Sequence, residues 1–282
     1  MDASPAGGPA PAPRVSRAGR DLRAAIAVGL VLGAVILGSL FLVRQAFIGV
    51  VAAAIAVATW ELAGALRRGA GVRIAVAPVL VGGQAMIWLS WPFGLRGVLS
   101  AFALTALTCL IWRLWGGAAG YLRDVSASLF TAAYVPMFAS FAAMLAVPSD
   151  GVARVLCFML AVIASDTGGY VAGVLRGRHP MAPSISPKKS WEGFAGSLLA
   201  GGGAGVLTVT YLLGGQPWQG VLFGATIVVT ATIGDLVESM IKRDLGVKDM
   251  GWLLPGHGGM MDRLDSLLLS AVVAWLLLSL FV

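Results

Sequence analysis

The sequence predicts an all-α fold: a polytopic integral membrane protein with about nine transmembrane helices. The chain of 282 residues is 58% hydrophobic and only 12% charged, whereas soluble domains carry about 25% charged residues. Apolar runs of about 20 residues recur along its length, and each can cross a hydrocarbon core about 30 Å thick. These observations together place the chain in a membrane.

Nine spans are expected, divided between two regions. Residues 1–20 are rich in proline, alanine and glycine, which predicts a disordered cytoplasmic tail with no secretory signal ahead of the first span. Residues 21–150 are expected to form a transmembrane scaffold of five spans. Residues 151–282 are expected to form a catalytic domain of four spans, with cytoplasmic loops at 176–192 and 242–265. The spans lie at roughly 24–43, 46–66, 74–91, 97–115, 127–147, 152–175, 193–213, 219–241 and 266–282.

Basic residues orient these spans. The first apolar run is too long for one crossing, so a tight hairpin is expected at Arg44. Lysine and arginine accumulate in short cytoplasmic loops. With a cytoplasmic N-terminus and nine alternating spans, only Arg44, Arg96 and Arg154 of the 20 basic residues fall outside. This distribution favours an outside C-terminus and two cytoplasmic long loops. It also argues against nucleic-acid binding, although the net charge is +7.

Polar side chains cluster on one face of the eighth span. The stretch "GDLVESMIKRD" at 234–244 places them at i, i+3, i+4 and i+7. They are Asp235, Glu238, Ser239 and Lys242. An ionised carboxylate within a bilayer costs several kcal/mol unless it is paired, hydrated or bound to a cation. The spacing indicates a cation site, with structural ion pairs near the cytoplasmic end as the alternative.

A second polar group begins the ninth span, in "HGGMMDRLDS" at 257–266. Asp262 and Asp265 are three residues apart and share a helical face. Acidic residues are favoured near a helix N-terminus by about 0.3–1 kcal/mol, which is the alternative explanation for Asp265. Gly258 and Gly259 permit close approach of backbone to a phosphate. Carboxylates from two helix ends could hold one Mg²⁺ together with waters and substrate phosphates.

The loop after the sixth span offers a third group. Asp166 lies near the cytoplasmic end of that span, and two lysines flanked by hydroxyl groups follow in "SISPKKS". Lysines in this setting suit a polyphosphate, although they also fit the usual positive charge of cytoplasmic loops. Glycines at 169, 173 and 177 fall at i, i+4 and i+8, which favours close helix packing.

Three isolated residues have simpler explanations. Cys109 and Cys157 lie inside apolar runs and are expected to be small packing residues. Glu61 stands alone in the second span, where a buried hydrogen bond is the leading interpretation and a helix-end or proton-transfer role is the alternative.

The segment "SMIKRDLGVKDMGWLLPGHGGMMDRLDS" at 239–266 closely resembles the C-terminal signature of the phosphatidate cytidylyltransferases, also called CDP-diacylglycerol synthases. The block "SDTGGYVAG…APSISPKKSWEG" resembles a second stretch shared by that family. The close match covers about 164–266, whereas the first 150 residues resemble the family only in having several spans. Every fixed position of the signature is met.

The resemblance implies a nucleotidyltransferase of phospholipid biosynthesis that converts CTP and phosphatidate into CDP-diacylglycerol and pyrophosphate. It also implies dependence on Mg²⁺, a second monovalent cation such as K⁺, and a homodimer. The enzyme is expected to be a multi-pass protein of the inner (plasma) membrane, with its active site facing the cytoplasm and membrane lipid around it. The family links the aspartates at positions 235 and 262 to metal.

These inferences assign roles to individual residues. The expected catalytic residues are Asp235, Asp262, Lys242, Arg263 and Asp249. Metal is expected at Asp235 and Asp262, with Asp166 and Asp265 as further candidate ligands. The expected CTP- or phosphate-binding residues are Ser186, Lys188, Lys189, Ser190, Ser239, Arg243, Lys248, His257, Gly258 and Gly259. Two alternatives remain at this point: a CTP-dependent polyprenol or lipid kinase, and a cation-coupled transporter.

Overall fold

The computed structural model describes residues 22–253 and 258–282. The tail expected at 1–20 and His257 lie outside these residues. The helices are α1 (Leu22–Leu42), α2 (Arg44–Ala70), α3 (Val76–Leu114), α4 (Tyr121–Ala132), α5 (Phe138–Leu145), α6 (Gly151–Arg176), α7 (Trp191–Leu213), α8 (Pro217–Asp244) and α9 (Asp265–Phe281). A π-helical turn, Ala133–Met137, joins α4 to α5, and a 3-10 turn, Met261–Arg263, precedes α9. Strands β1 (Pro180–Ala182) and β2 (Ser186–Ser190) lie between α6 and α7.

The helices confirm an all-α membrane protein. Within the described residues, six helical segments are long and apolar enough to cross a bilayer. They are Arg44–Ala70, Val76–Leu114, Tyr121–Leu145, Gly151–Arg176, Trp191–Leu213 and Pro217–Asp244. The shorter apolar helices Gly29–Leu42 and Asp265–Phe281 coincide with the first and last predicted spans.

Helix α3 is interrupted near its middle. Its 39 residues exceed the length that a single crossing requires. Gly94 has φ 53 and ψ −141, and Pro92 lies inside the helix just before it. Proline removes a backbone donor, and glycine tolerates a positive φ that strains other residues. The kink falls between the predicted third and fourth spans, so α3 covers both.

Three inter-helix connections meet at one end of the bundle. Arg44, at the start of α2, donates to the backbone carbonyl of Pro148, and its guanidinium lies 6.0 Å from the ring centroid of Trp91. Arg154 of α6 forms a 2.8 Å ion pair with Asp150 and donates to the carbonyl of Leu278, near the end of α9, at 2.9 Å. The α1–α2, α3-kink and α5–α6 junctions therefore lie together.

Three other connections meet at the opposite end. Asp124, at the start of α4, accepts a hydrogen bond from the backbone N–H of Arg73 and pairs with Arg113 at 2.5 Å. Arg68 of α2 donates to the carbonyl of Met250 at 3.1 Å. The α2–α3 and α3–α4 connections thus share an end with the loop between α8 and α9.

Small residues allow α6, α7 and α8 to pack closely. A Cβ placed on Gly168 would lie 2.6 Å from the carbonyl oxygen of Gly196, and a Cβ placed on Gly196 would lie 2.6 Å from the carbonyl oxygen of Gly168. Two of the three glycines on the expected packing face contact α7, since a Cβ on Gly169 would lie 3.4 Å from the carbonyl oxygen of Gly193, and one on Gly173 would lie 3.8 Å from its Cα. Gly177 lies just past the end of α6 and faces the Ser190 hydroxyl. Without a hydrophobic driving force in lipid, such backbone approach supplies the contact between helices.

The loop predicted at 176–192 contains a structure that the sequence analysis did not anticipate. Strands β1 and β2 form an antiparallel hairpin, with Pro180 opposite Ser190 and Ala182 opposite Ser186. Arg243, at the end of α8, donates to the carbonyl of Ile185 at 2.5 Å and so fastens the turn of the hairpin. Cys109 and Cys157 are free and buried, as expected.

Candidate active site

Helices α6, α7 and α8 and the β-hairpin line a cavity of ≈ 200 Å³, here called the hairpin cavity. Its polar lining includes Asp166, Lys188, Lys189, Ser190 and Asp235. All five were predicted from the sequence, in three separate segments. Helix α6 supplies the first aspartate, β2 supplies both lysines, and α8 supplies the second aspartate.

Opposite charges meet inside the hairpin cavity. The Lys189 ammonium lies 2.6 Å from Asp235 Oδ2, and both side chains remain more than a quarter exposed. Asp166 is close enough to interact electrostatically with both of them. Two carboxylates therefore share one ammonium group, which leaves an excess of negative charge beside exposed Lys188.

A second ionic group, here called the loop cluster, consists of Glu238, Lys242 and Asp262. Lys242 Nζ lies 2.6 Å from Glu238 Oε1 and 2.7 Å from Asp262 Oδ1. Glu238 is fully buried, and its contact with Lys242 is close but misaligned, because neither carboxylate oxygen accepts a well-formed hydrogen bond. Removing one member of a buried pair leaves an uncompensated charge, so these residues depend on one another.

Asp262 also organises the backbone around it. Its Oδ2 accepts hydrogen bonds from the N–H of Gly259 at 2.9 Å and of Met250 at 3.1 Å. Burial raises the pKa of Asp262, but hydrogen bonds from Lys242 and Gly259 outweigh burial and hold this pKa below its ordinary value. The carboxylate is therefore ionised at neutral pH and connects both sides of the loop between α8 and α9.

Asp265 links the two ionic groups. It is the first residue of α9, and it interacts electrostatically with Asp235, Asp166 and Lys242. Gly234 of α8 allows this approach, because a Cβ there would lie 3.2 Å from the carbonyl carbon of Asp265. The C-terminal end of α8 and the N-terminal end of α9 are thus held side by side.

Gly258 borders two carboxylates. Its φ is 88, a conformation that glycine adopts readily. A Cβ at this position would lie 3.3 Å from Asp262 Oδ2 and 3.5 Å from Asp249 Oδ1. Asp249 therefore faces the same point of the loop as Asp262.

The structure gives other predicted residues different surroundings. Ser190 caps α7 by accepting a hydrogen bond from the N–H of Gly193 at 3.1 Å, and Arg243 is engaged with the hairpin turn. The remaining predicted positions are Ser186 at the start of β2, half-buried Ser239 on α8, exposed Lys248, and exposed Arg263 beside Asp262.

Metal binding is not evident from the side-chain arrangement. Within 22–253 and 258–282, no three His, Cys, Asp or Glu side chains form a group that could hold a metal ion. Asp235 and Asp262 each face a lysine instead. Joint binding of one ion by these two aspartates stays a prediction.

Glu61 reaches this region from the other half of the chain. Its Oε2 accepts a hydrogen bond from the backbone N–H of Met261 at 2.9 Å, which confirms the buried hydrogen bond expected for it. The sequence analysis did not connect it to the site. The available signal was a lone carboxylate in an apolar span, which identifies no partner.

The model of the cytidylyltransferase family matches residues 23–281. The chain belongs to this family. A phosphatidate cytidylyltransferase of Mycobacterium bovis is 55% identical over 96% of this chain and 92% of its own length. A phosphatidate cytidylyltransferase of Mycobacterium leprae is 52% identical over 94% of this chain and 89% of its own length. A more distant one, from Staphylococcus haemolyticus, is 39% identical over 51% of this cytidylyltransferase-family chain and 55% of its own.

Proposed function

We propose that this member of the cytidylyltransferase family transfers the cytidylyl group of CTP to phosphatidate, giving CDP-diacylglycerol and pyrophosphate. One observation carries the proposal: lysines 188 and 189 of the hairpin meet Asp166 and Asp235 in a single cavity. The names of relatives at 52–55% identity over nearly the whole chain support this choice of substrates.

The reaction requires alignment rather than a protein nucleophile. A phosphate oxygen of phosphatidate attacks the α-phosphorus of CTP, and a new phosphoanhydride bond forms. The bond from the α-phosphorus to the oxygen that bridges it to the β-phosphorus breaks, and pyrophosphate leaves with that oxygen. Both substrates are anionic, so positioning and electrostatic stabilisation supply most of the catalysis.

The basic residues divide between the two substrates' phosphates. Lys188 and Lys189 face the hairpin cavity and suit the β- and γ-phosphates of CTP, which become the leaving group. Lys242 and Arg263 lie at the α8–α9 end, where they suit the lipid phosphate or the α-phosphate. In this arrangement Lys189 transfers its charge contact from Asp235 to nucleotide when CTP binds.

The carboxylates fit a divalent cation by their chemistry. Asp166, Asp235 and Asp265 interact with one another electrostatically, and Lys189 is the ammonium group in direct contact with this set. Mg²⁺ prefers one or two carboxylates with waters and substrate phosphates. When bound, it would neutralise charge on the phosphates. Asp235 and Asp262 are the proposed ligands, with Asp166, Asp249 and Asp265 available for a monovalent cation or for orienting waters.

The contacts between connections support nine crossings. The junctions at 43–44, 91–97 and 146–150 share one end of the bundle, and those at 70–76, 114–121 and 245–253 share the other. We propose that the protein lies in the inner membrane and that the end with the α8–α9 connection faces the cytoplasm, because most lysine and arginine residues lie at that end. A homodimer, expected from the family resemblance, is part of the same proposal and is testable by light scattering in detergent.

Product analysis with labelled CTP tests the reaction. With α-³²P-CTP and phosphatidate, the purified chain should move label into lipid and release unlabelled pyrophosphate in a Mg²⁺-dependent manner. A lipid kinase would instead move γ-label into lipid and release CDP. A transporter would release neither product, and either result would overturn the proposed transfer.

A further inference from the structure

A helix of the scaffold region holds the loop that carries Asp262. Glu61 lies on α2, is only 6% exposed, and accepts the N–H of Met261, the residue directly before Asp262. The backbone amides of Met260 and Leu253 lie within interaction distance of the same carboxylate. One side chain thus contacts both sides of the loop between α8 and α9.

A second residue on the same face of α2 contacts the loop. Arg68 lies seven residues after Glu61, two helical turns along, so both side chains project from one face. It donates to the carbonyl of Met250 at 3.1 Å and lies 5.6 Å from the ring centroid of Trp252. Met250 also donates its N–H to Asp262, so α2 and Asp262 hold opposite sides of one peptide segment.

Two glycines make room for the Glu61 carboxylate. A Cβ on Gly251 would lie 2.7 Å from Glu61 Cγ, well inside contact distance. A Cβ on Gly259 would lie 2.6 Å from Glu61 Oε2 and 2.9 Å from Asp262 Oδ2. The backbone of Gly259 therefore lies between the carboxylates of Glu61 and Asp262, with no room for a side chain. This steric requirement explains a glycine at position 259 independently of phosphate binding.

We propose that Glu61 is a positioning residue for the reaction: its carboxylate fixes residues 250–253 and 259–262, on either side of the loop, so that Asp262 meets Lys242 in working geometry. The expected effect of Glu61 on turnover rests on the proposed cytidylyl transfer. The expected effect of Glu61 on the mobility of the loop does not depend on that reaction. The positioning role requires one oxygen acceptor at the end of a side chain as long as that of glutamate. Oε2 accepts the hydrogen bond from the Met261 N–H, whereas the buried Oε1 has no hydrogen-bond partner.

Three substitutions separate this role from general stability. Glu61→Ala removes the acceptor and should lower kcat at least about tenfold and raise the Mg²⁺ concentration needed for half-maximal turnover. Glu61→Gln keeps an oxygen acceptor of equal reach and should retain activity within about threefold. Asp124→Asn is the matched control, because Asp124 is also a buried scaffold carboxylate that accepts a backbone N–H but contacts Arg113 instead of the loop. It should lower Tm without changing the Mg²⁺ requirement.

A double-mutant cycle tests the contact directly. Gly251→Ala should impair the enzyme as Glu61→Ala does, since the new methyl group displaces the carboxylate. Adding Gly251→Ala to Glu61→Ala should cause no further loss, because the clash is gone. Gly251→Ala also keeps the test available if Glu61→Ala fails to fold.

Hydrogen exchange provides a readout that needs no substrate. In lipid nanodiscs, Glu61→Ala and Gly251→Ala should each speed exchange at 259–262 at least about tenfold and leave α7 unchanged. Folded Glu61→Ala with wild-type kcat and wild-type exchange would overturn the proposal, as would Glu61→Gln losing as much as Glu61→Ala. Absence of turnover in the wild-type chain would instead count against the proposed function, and the exchange data would still decide the role of Glu61.

Discussion

At the scale of single residues, the candidate site depends on two aspartates that each contact a lysine. Asp235 pairs with Lys189, and Asp262 pairs with Lys242, each at 2.6–2.7 Å. Each lysine offsets part of the repulsion between its aspartate and the neighbouring carboxylates before substrates bind. These pairs also mean that each aspartate has a partner that nucleotide or cation can replace.

Asp262→Asn tests the central carboxylate. It should lower Mg²⁺-dependent kcat about 100-fold or more, in line with the loss of one preorganised electrostatic group. The comparison is turnover of CTP and phosphatidate by purified protein that elutes as a single folded species. Asp244→Asn is the control, since Asp244 is exposed at the end of α8. Near-normal turnover by Asp262→Asn would remove this residue from the reaction.

Lys189→Ala tests the nucleotide side of the cavity. The KM for CTP should rise about tenfold or more with a smaller change in kcat, because a charge-assisted phosphate contact contributes about 1.5–3 kcal/mol. Steady-state kinetics at saturating phosphatidate give both constants. Arg178→Ala, in the same loop but exposed, should leave the KM for CTP unchanged. An unchanged CTP dependence in Lys189→Ala would exclude Lys189 from CTP binding.

At the scale of elements, helix packing within residues 151–282 depends on glycines that face another backbone. The α6–α7 crossing is reciprocal, with Gly168 and Gly196 each against the carbonyl of the other. This crossing fixes α6, and therefore Asp166, relative to the hairpin that carries the lysines. Close packing of backbones thus sets the width of the hairpin cavity.

Gly196→Ala should destabilise the protein by about 1–3 kcal/mol, because the new methyl group is forced against α6. Gly203→Ala on the same helix meets nothing within 4 Å and should be neutral or slightly stabilising. Thermal unfolding in one detergent, followed by intrinsic fluorescence, compares the two. Equal Tm values would contradict the close α6–α7 contact.

The kink in α3 makes a separate prediction. Gly94→Ala forces a positive φ on a residue with a Cβ and should cost about 1–3 kcal/mol. Gly33→Ala in α1, where φ is helical and nothing lies within 4 Å, is the matched control. A Gly94→Ala protein as stable as Gly33→Ala would show that α3 is not kinked at this residue.

At the scale of the whole molecule, two regions cooperate in one site. Residues 151–282 contribute the hairpin cavity and the loop cluster, and residues 21–150 contribute α2, which contacts the loop through Glu61 and Arg68. Residues 21–150 therefore contribute contacts to the candidate site as well as membrane-spanning helices.

The orientation of the molecule is accessible to labelling. Cys109 and Cys157 are buried and replaceable, which allows a cysteine-free background. Ser184→Cys in the hairpin turn should react with a membrane-impermeant maleimide only after cells are opened. Ser149→Cys, at the opposite end of the bundle, should react in intact spheroplasts. The reverse pattern would contradict a cytoplasmic active site.

The sequence by itself determined the membrane class, the apolar segments, and the charged residues of the hairpin cavity. Hydropathy and spacing carry that information locally, since residues 235, 238 and 242 share a face of any helix they form. Only the tertiary structure decided the hairpin, which lysine meets which aspartate, and the contact of Glu61 with Met261. Those contacts join residues far apart in the chain. When several carboxylates and lysines converge on the same end of a helical bundle, the local sequence pattern does not specify which carboxylate pairs with which lysine.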